Sequence, residues 1–313
     1  MSTSDTIKQA GRSAADAISH IGPVRAGLRS LSKSHLLPHS VWARLPVSET
    51  FEVEVGSSHF QYASVPGDPL GRALYWKGLP AFEGETIAEF CRFAATARMT
   101  IDVGACTGLY ALIALALNPQ AKAMAFEPVT ANYECAKRNL QVNGWEERCD
   151  LRQECVSDRC GTTEFSVASG TEGAIVTSSS LNPNGFRGLP GQLVKINCTT
   201  LDAAVAPGTP VDLVKIDVEG FEADVLRGMQ RVVAENSPHI IMEYSDETSP
   251  VAGEILDQYG YDIFHLRESG PMRVGTFAFD NNFKNYLAKP RAKNGRARNS
   301  KTHCGASFAT TPR

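Results

Sequence analysis

The stretch VDLVKIDVEGFEADVLRGM, Val211 to Met229, joins a run patterned like a buried β-strand to a cluster of charges. Val211–Ile216 reads as the strand, yet it carries Lys215 and releases Asp217, Glu219 and Glu222 within a few residues. Charged side chains are rarely buried unless they are paired. The two-residue period of a strand puts Lys215 and Asp217 on one face, where they can pair with each other. The run GFEADVLRGMQRVVAE that follows has helical periodicity, so the stretch is one strand-to-helix step of an α/β chain.

On both sides of this stretch the same alternation recurs. MTIDVG (99–104) and AKAMAFEP (121–128) read as strands, TGLYALIALAL (107–117) and VTANYECAKRNLQVNG (129–144) as helices, and CDLRQECVSD (149–158) as a third strand. After a looser region rich in Ser, Gly and Asn (168–193) come the opening stretch, the strand HIIMEY (239–244), a helix near 251–259, and two last strands near 261–266 and 274–279. Alternation of this length predicts a parallel sheet covered on both faces, with ligands at the carboxyl ends of its strands. The chain divides into a helical extension (1–45), an accessory region or cap (46–98), the α/β domain (99–283) and a basic tail (284–313) expected to be disordered.

Composition narrows the function. The net charge of −3 hides an asymmetry: residues 1–45 carry +4, residues 281–313 carry +8, and the middle carries −15. An acidic body argues against a nucleic-acid groove, which needs clustered Lys and Arg. The basic, amphipathic N-terminal segment has two readings: packing on the domain or a second subunit, or peripheral contact with an anionic membrane. The longest apolar run, Leu109–Leu117, is too short to span a bilayer and no signal-peptide pattern opens the chain, so a cytoplasmic location is expected. Eight cysteines without a Cys-x-x-Cys pair suit reduced thiols better than disulfides or a structural zinc.

The turn IDVGACTGLY places Asp102, Gly104 and Gly108 between the first strand and first helix, where glycines admit a ligand close to the backbone and a helix amino terminus offers free N–H groups. Glu127 ends the second strand, where a carboxylate can accept both hydroxyls of a ribose. A nucleoside-containing cofactor is expected. A dinucleotide would want Gly-x-Gly-x-x-Gly, whereas this turn is Gly104-x-x-x-Gly108, with Ala105 and Cys106 between. Asp102 would repel a diphosphate and favour the ammonium and sulfonium of S-adenosylmethionine.

The segments IDVGACTG, AFEP, TTLDA, VDLVKIDVEGFEADVLRGM and PHIIMEY together resemble the FkbM family of S-adenosylmethionine-dependent methyltransferases, over about residues 82–244. The resemblance implies the Rossmann-like class I methyltransferase fold, a mostly parallel seven-stranded sheet with its last strand antiparallel and helices on both faces. It implies that Asp102, Gly104, Ala105, Cys106 and Gly108 flank the methionine part, that Glu127 holds the ribose, and that Val156, Ser157 and Asp158 fall where adenine is contacted. Cys106 departs from the family, which more often has Asn there.

Strand four of such a fold ends beside the transferable methyl, so Lys215, Asp217, Glu219 and Glu243 are the candidate catalytic residues. Any of the three carboxylates can take a hydroxyl proton, and Lys215 can orient the acceptor or an acid. They could also hold a divalent cation, although nothing in their spacing demands one. Glu83, Glu85, His59, His265 and the pair Tyr75–Trp76 are weaker candidates for the pocket or its lid. The expected activity is O-methylation of a small-molecule or glycan acceptor: a sugar, glycan or polyketide-like alcohol. The rivals are a nicotinamide-dependent oxidoreductase and a catalytically silent docking module that retains the cofactor pocket.

Overall fold

A computed structural model describes residues 22–34, 36–168, 175, 191–244, 251–275, 277, 280 and 282–291. The expected helical extension, 1–45, lies outside them up to residue 21. Its described part holds α1 (Gly22–Lys33), followed by the short α2 (His39–Trp42). Basic residues of α1 are spent on the body of the protein: Arg25 Nε donates to Tyr75 Oη at 2.8 Å, and its Nη2 pairs with Glu49 at 3.0 Å.

Strands β1 (Thr50–Val55) and β2 (Ser58–Ala63) form an antiparallel hairpin. Phe51, Val53 and Val55 are buried while Glu52 and Glu54 are exposed, the alternation of a sheet with one face on a core. Helix α3 (Pro69–Lys77) begins at Asp68, whose side chain accepts from Gly71 N, and α4 (Gly84–Ala94) follows. These elements are not a separate cap. Phe60, Tyr62, Trp76 and Phe90 belong to the same continuous core as Leu112, Leu213 and Ile241 of the α/β body. The open edge of β2 is satisfied by asparagines of the helix beneath it: Ala63 N donates to Asn139 Oδ1 at 2.7 Å and Gln61 N to Asn143 Oδ1 at 2.8 Å.

The body runs β3 (Met99–Val103), α5 (Leu109–Leu117), β4 (Lys122–Phe126), α6 (Thr130–Asn143) and β5 (Cys149–Arg152). A small sheet interrupts, made of β6 (Cys155–Val156), β7 (Gly161–Ala168) and β8 (Gly191–Thr199). After α7 (Leu201–Ala204) come β9 (Leu213–Ile216), α8 (Glu222–Arg227), α9 (Gln230–Asn236) and β10 (His239–Glu243). Helix α10 (Val251–Gln258), β11 (Tyr261–His265), β12 (Met272–Val274) and β13 (Asn285–Pro290) complete the described chain.

The main sheet has the order β12-β11-β13-β10-β9-β3-β4-β5, with β10, β9, β3, β4 and β5 parallel and β13 antiparallel to both neighbours. It is the expected Rossmann-like sheet with β12 added as an edge strand. All four residues of β9 are buried, as a strand covered on both faces requires. From β3 the chain winds one way through β4 and β5, and from β9 the other way through β10. The crevice beyond the ends of β3 and β9 is therefore the topological switch point.

Four expectations are corrected. The basic tail does not start at 284: Asn285, Tyr286, Leu287 and Ala288 are buried in the middle of the sheet, and the flanking cations that suggested a tail have partners, Lys289 over the Phe264 ring and Arg291 on Asp262. Of the strand expected near 274–279, Val274 belongs to the short β12 and 275 and 277 are not in a strand, while 276, 278 and 279 lie outside the described residues. The single strand expected over 149–158 breaks after Arg152, so that β5 stays in the main sheet and β6 pairs with β8. The continuous helix expected after Gly220 breaks between α8 and α9 at Gly228, where a Cβ would meet Ser157 O at 2.1 Å. Gly228→Ala should therefore destabilise by about 1–3 kcal/mol through overpacking. Gly27→Ala, at an open helical position, should be neutral or gain a few tenths to about 1 kcal/mol. Urea midpoints of the two variants check this.

Candidate active site

A cavity of about 530 Å³ lies across the carboxyl ends of the parallel strands. Its wall follows the strand order: Glu243 at the end of β10, Asp217 after β9, Asp102 and Gly104 at β3, Glu127 after β4, and Glu154 beyond β5. Four strand spacings make this a trough roughly 19 Å long. Its size is that of a site for a nucleoside-sized cofactor with a small second ligand.

The turn after β3 forms the middle of the trough. Gly104 N and Ala105 N donate to Phe126 O at 3.0 and 2.9 Å, which ties the turn to β4. Gly104 has φ 81°, and a Cβ there would meet Asp217 O at 1.9 Å, so only glycine lets the two strand ends approach this closely. Asp102, almost fully buried, accepts from Ala111 N at 3.2 Å, joining the strand to α5. Burial pushes its carboxyl up to about 7, against the pull of the Lys215 ammonium.

Glu127 sits one strand further along. Its Oε2 accepts from Cys106 N and its Oε1 from Val129 N, each at 2.8 Å, and the Asn132 side chain donates to it as well. These donors fix the carboxylate at the lip of β4, where its remaining lone pairs can accept a diol. Burial outweighs the three donors and pushes its pKa up to about 8.

At the other end, Lys215 is fully buried beneath the cavity floor. Its Nζ lies 3.2 Å from Asp217 Oδ2 and 5.2 Å from the centroid of the Tyr110 ring. Burial opposes the ammonium, but Asp217, Glu83 and Glu243 outweigh it and the pKa is raised. Oxygens of Asp217, Glu219 and Glu243 lie within 4.8 Å of one another. Burial first, and then the neighbouring Asp217, raise the pKa of Glu243 well above the usual carboxylate range, against the pull of Lys215. Lys284 reaches Glu243 at 3.4 Å, so two ammonium groups of the protein supply this cluster's counter-charge. Glu83 lines the same end and accepts from Tyr110 Oη at 2.8 Å. Glu222, at the start of α8, fastens the loop by accepting from Gly220 N and Val218 N at 3.2 and 3.4 Å. Burial pushes its carboxyl up to about 7.

The cavity thus brings together Asp102, Gly104, Ala105, Cys106, Glu127, Asp217, Glu219 and Glu243. Gly108 stands behind the wall with φ 82°, starting α5 against Ala136. Ser157 is elsewhere: it lines a separate depression with Asp158, and the residue turned into the cavity is Val156, its neighbour on the opposite face. Trp76 and Tyr75 are core residues, His59 is exposed beside Glu52, and His265 is buried on the Tyr286 ring, so none of them forms a lid. Glu85 lies outside the cavity lining, while Glu83 is in it. Tyr110, Asn132, Phe165 and Lys284 also line it and were not singled out from the sequence. Only Tyr110 carried a signal, as the second helical residue after the glycine turn.

A nucleoside cofactor with a cationic methyl donor fits this donor set. The buried Glu127 offers acceptor oxygens that a diol could reach, the turn has no side chain at Gly104, and acidic groups line the end where positive charge would lie. Fold and site define a Rossmann-like S-adenosylmethionine-dependent methyltransferase. Residues 102–263, just over half of the chain, match the methyltransferase FkbM domain, and the chain belongs to this family. It is 27% identical over 193 residues to the methyltransferase sdnD of Sordaria araneosa, covering 52% of this chain and 73% of that one. Among solved structures it is similar to methyltransferase FkbM of Methylobacillus flagellatus KT, with 13% identity, a TM-score of 0.42, and coverage of 62% of this chain and 43% of that one. It is also similar to an S-adenosylmethionine-dependent methyltransferase of Agrobacterium tumefaciens, with 15% identity, a TM-score of 0.42, and coverage of 78% and 71%.

Two outcomes follow. Asp102 and Glu222 at about 7 and Glu127 at about 8 bind protons in the folded chain that the unfolded chain, with carboxyls near about 4, has already released. Stability of the ligand-free protein should therefore fall as pH rises from about 5 to about 8, a trend read from urea midpoints. Glu127→Ala should weaken S-adenosylhomocysteine binding at least about tenfold in calorimetry, through loss of the hydrogen bonds its carboxyl group makes.

Proposed function

We propose that the protein O-methylates a hydroxyl of a sugar, glycan or polyketide-like acceptor, with Asp217 as the general base. The observation that carries this reading is the grouping of Asp217, Glu219 and Glu243 at one end of the trough above the buried Lys215. Bound there, S-adenosylmethionine supplies an electrophilic methyl on a sulfonium.

The chain's own residues do the rest. Asp217 stays partly exposed to the cavity while paired with Lys215, so its carboxylate can hydrogen-bond an entering hydroxyl and take its proton as the oxygen attacks. Glu243 stands beside Asp217, and its carboxyl, raised by burial and by that neighbour, can share a proton with it and keep that carboxylate aimed. Lys215 balances the charge without entering the cavity. Glu83 and Glu219 add acceptors for further hydroxyls, which suits a neutral polyol better than an anionic acceptor. Lys284 sits on the outer side of Glu243 and closes that wall. Alignment of the attacking oxygen with the methyl is the larger share of such a rate, up to roughly 7–11 kcal/mol in intramolecular models.

Asp217→Asn should leave S-adenosylhomocysteine affinity within a few-fold of wild type and lower methyl transfer by about 10²- to 10⁴-fold. Transfer of labelled methyl to a panel of methyl glycosides, polyols and secondary alcohols supplies the activity readout. Undiminished transfer by the variant would remove Asp217 as base. Transfer confined to amines would overturn the hydroxyl assignment.

A further inference from the structure

The small sheet sets two thiols side by side. Cys155 of β6 is the register partner of Cys198 of β8, and the two strands are parallel. Register partners on neighbouring strands share a face and stand about 4.7–4.9 Å apart, inside the range of roughly 4.4–6.8 Å that a disulfide spans between Cα atoms. The side chains meet as well, each thiol within hydrogen-bonding reach of the other. Both are reduced in this structure. Closing a bond between them needs no rearrangement of the chain, because β6 and β8 are already paired.

The pair is reachable from one side and is not symmetric. Cys198, 8% exposed, lines a depression of about 330 Å³ walled also by residues 157–163, Phe221 and Asp224. Cys155, 6% exposed, belongs instead to the wall of the trough. The hydrogen bond from Cys155 lowers the pKa of Cys198 against the cost of burial, and Ser157 adds a second such bond. The same contact and burial push Cys155 up. Since the thiolate is the nucleophile, a small oxidant entering the depression meets the more reactive sulfur first, with a protonated thiol in contact behind it. Cys160 is exposed at the same depression, and Gly161 after it is opposite Cys198 in the β7–β8 hairpin. Its Sγ, however, lies 3.9 Å from Thr199 Oγ1, and Thr199 points to the other face of β8 from Cys198.

We propose that Cys198 is a peroxide-reactive thiol and that Cys155 resolves its oxidised form, closing a reversible disulfide between β6 and β8. In the first step the Cys198 thiolate attacks a hydroperoxide: an S–O bond forms, the O–O bond breaks, and the released alkoxide, or hydroxide from hydrogen peroxide, takes up a proton. In the second step the Cys155 sulfur attacks Cys198 Sγ: the S–S bond forms, the S–O bond breaks, and the hydroxide leaves as water with the Cys155 proton. Two thiols and one hydroperoxide thus give one disulfide, one alcohol or water, and one further water. An external dithiol reverses the bond by exchange.

The test is a tryptic map, made without reduction, of the full chain after brief exposure to hydrogen peroxide. Cys155, Cys160 and Cys198 fall in three different peptides, 153–159, 160–187 and 196–215, so every possible link among them is distinguishable. The expected product joins 153–159 to 196–215 with loss of two titratable thiols and of two hydrogens in mass, and dithiothreitol restores both. It should form at least about tenfold faster than Cys135 or Cys149 is oxidised, two thiols that burial pushes up to about 12. Cys198→Ser should abolish the link, Cys155→Ser should leave Cys198 as a sulfenic acid captured by dimedone, and Cys160→Ser should form the link as the wild type does. Oxidation of Cys160 while Cys155 and Cys198 stay reduced would overturn the proposal, as would a link that includes Cys160. Should a variant fail to fold, the wild-type map decides the matter by itself.

Discussion

A single buried ammonium organises this molecule. Lys215 lies in the central strand with no exposure, and an unpaired charge there would cost several kcal/mol. Asp102 on β3 is its register partner, Asp217 follows just past the end of its strand, and Glu83 and Glu243 close in from the flanks. Each of these acids is buried or half-buried beside Lys215, and Lys284 adds a second cation at Glu243. The same network spans the trough, from the turn that would carry the methionine end to the carboxylates that would meet the acceptor.

The local backbone shows what holding these groups requires. Three of the four non-glycine residues with positive φ among the described residues line the cavity: Glu83 at 44°, Cys106 at 50° and Glu219 at 52°. Such conformations cost of order 1–3 kcal/mol each and persist where the surroundings over-determine them. Here the surroundings are two large apolar clusters, one on each face of the sheet, with the all-apolar α5 wedged between β3 and the N-terminal hairpin. The hairpin and α4 are therefore part of the scaffold that positions Glu83.

The parallel core was legible in the sequence because strands buried on both faces are apolar runs and the intervening helices keep their period, as in β3, β4, β9 and α6. The motif residues were legible because glycine turns and strand-end acids follow from backbone geometry, as with Gly104, Glu127 and Asp217. What escaped depends on long-range partners. Strand β13 was hidden by Lys284, Lys289 and Arg291, whose charges read as a solvated tail until Glu243, Phe264 and Asp262 are placed beside them. The break at Gly228 is set by the Ser157 carbonyl, some 70 residues away, and no local signal marks it. Ser157 itself was misplaced because β6 leaves the main sheet, which turns Val156 to the cavity in its stead. Phe165 belongs to a region without motif, and only the hairpin pairing shows where its ring falls.

How the cofactor lies in the trough is read from a crystal structure with S-adenosylhomocysteine. Expected are the ribose hydroxyls on Glu127, the amino-acid end over the Gly104 turn, and the sulfur facing Asp217 and Glu243. A ligand bound in the reverse sense, with its base among those carboxylates, or bound outside the trough, would contradict this placement.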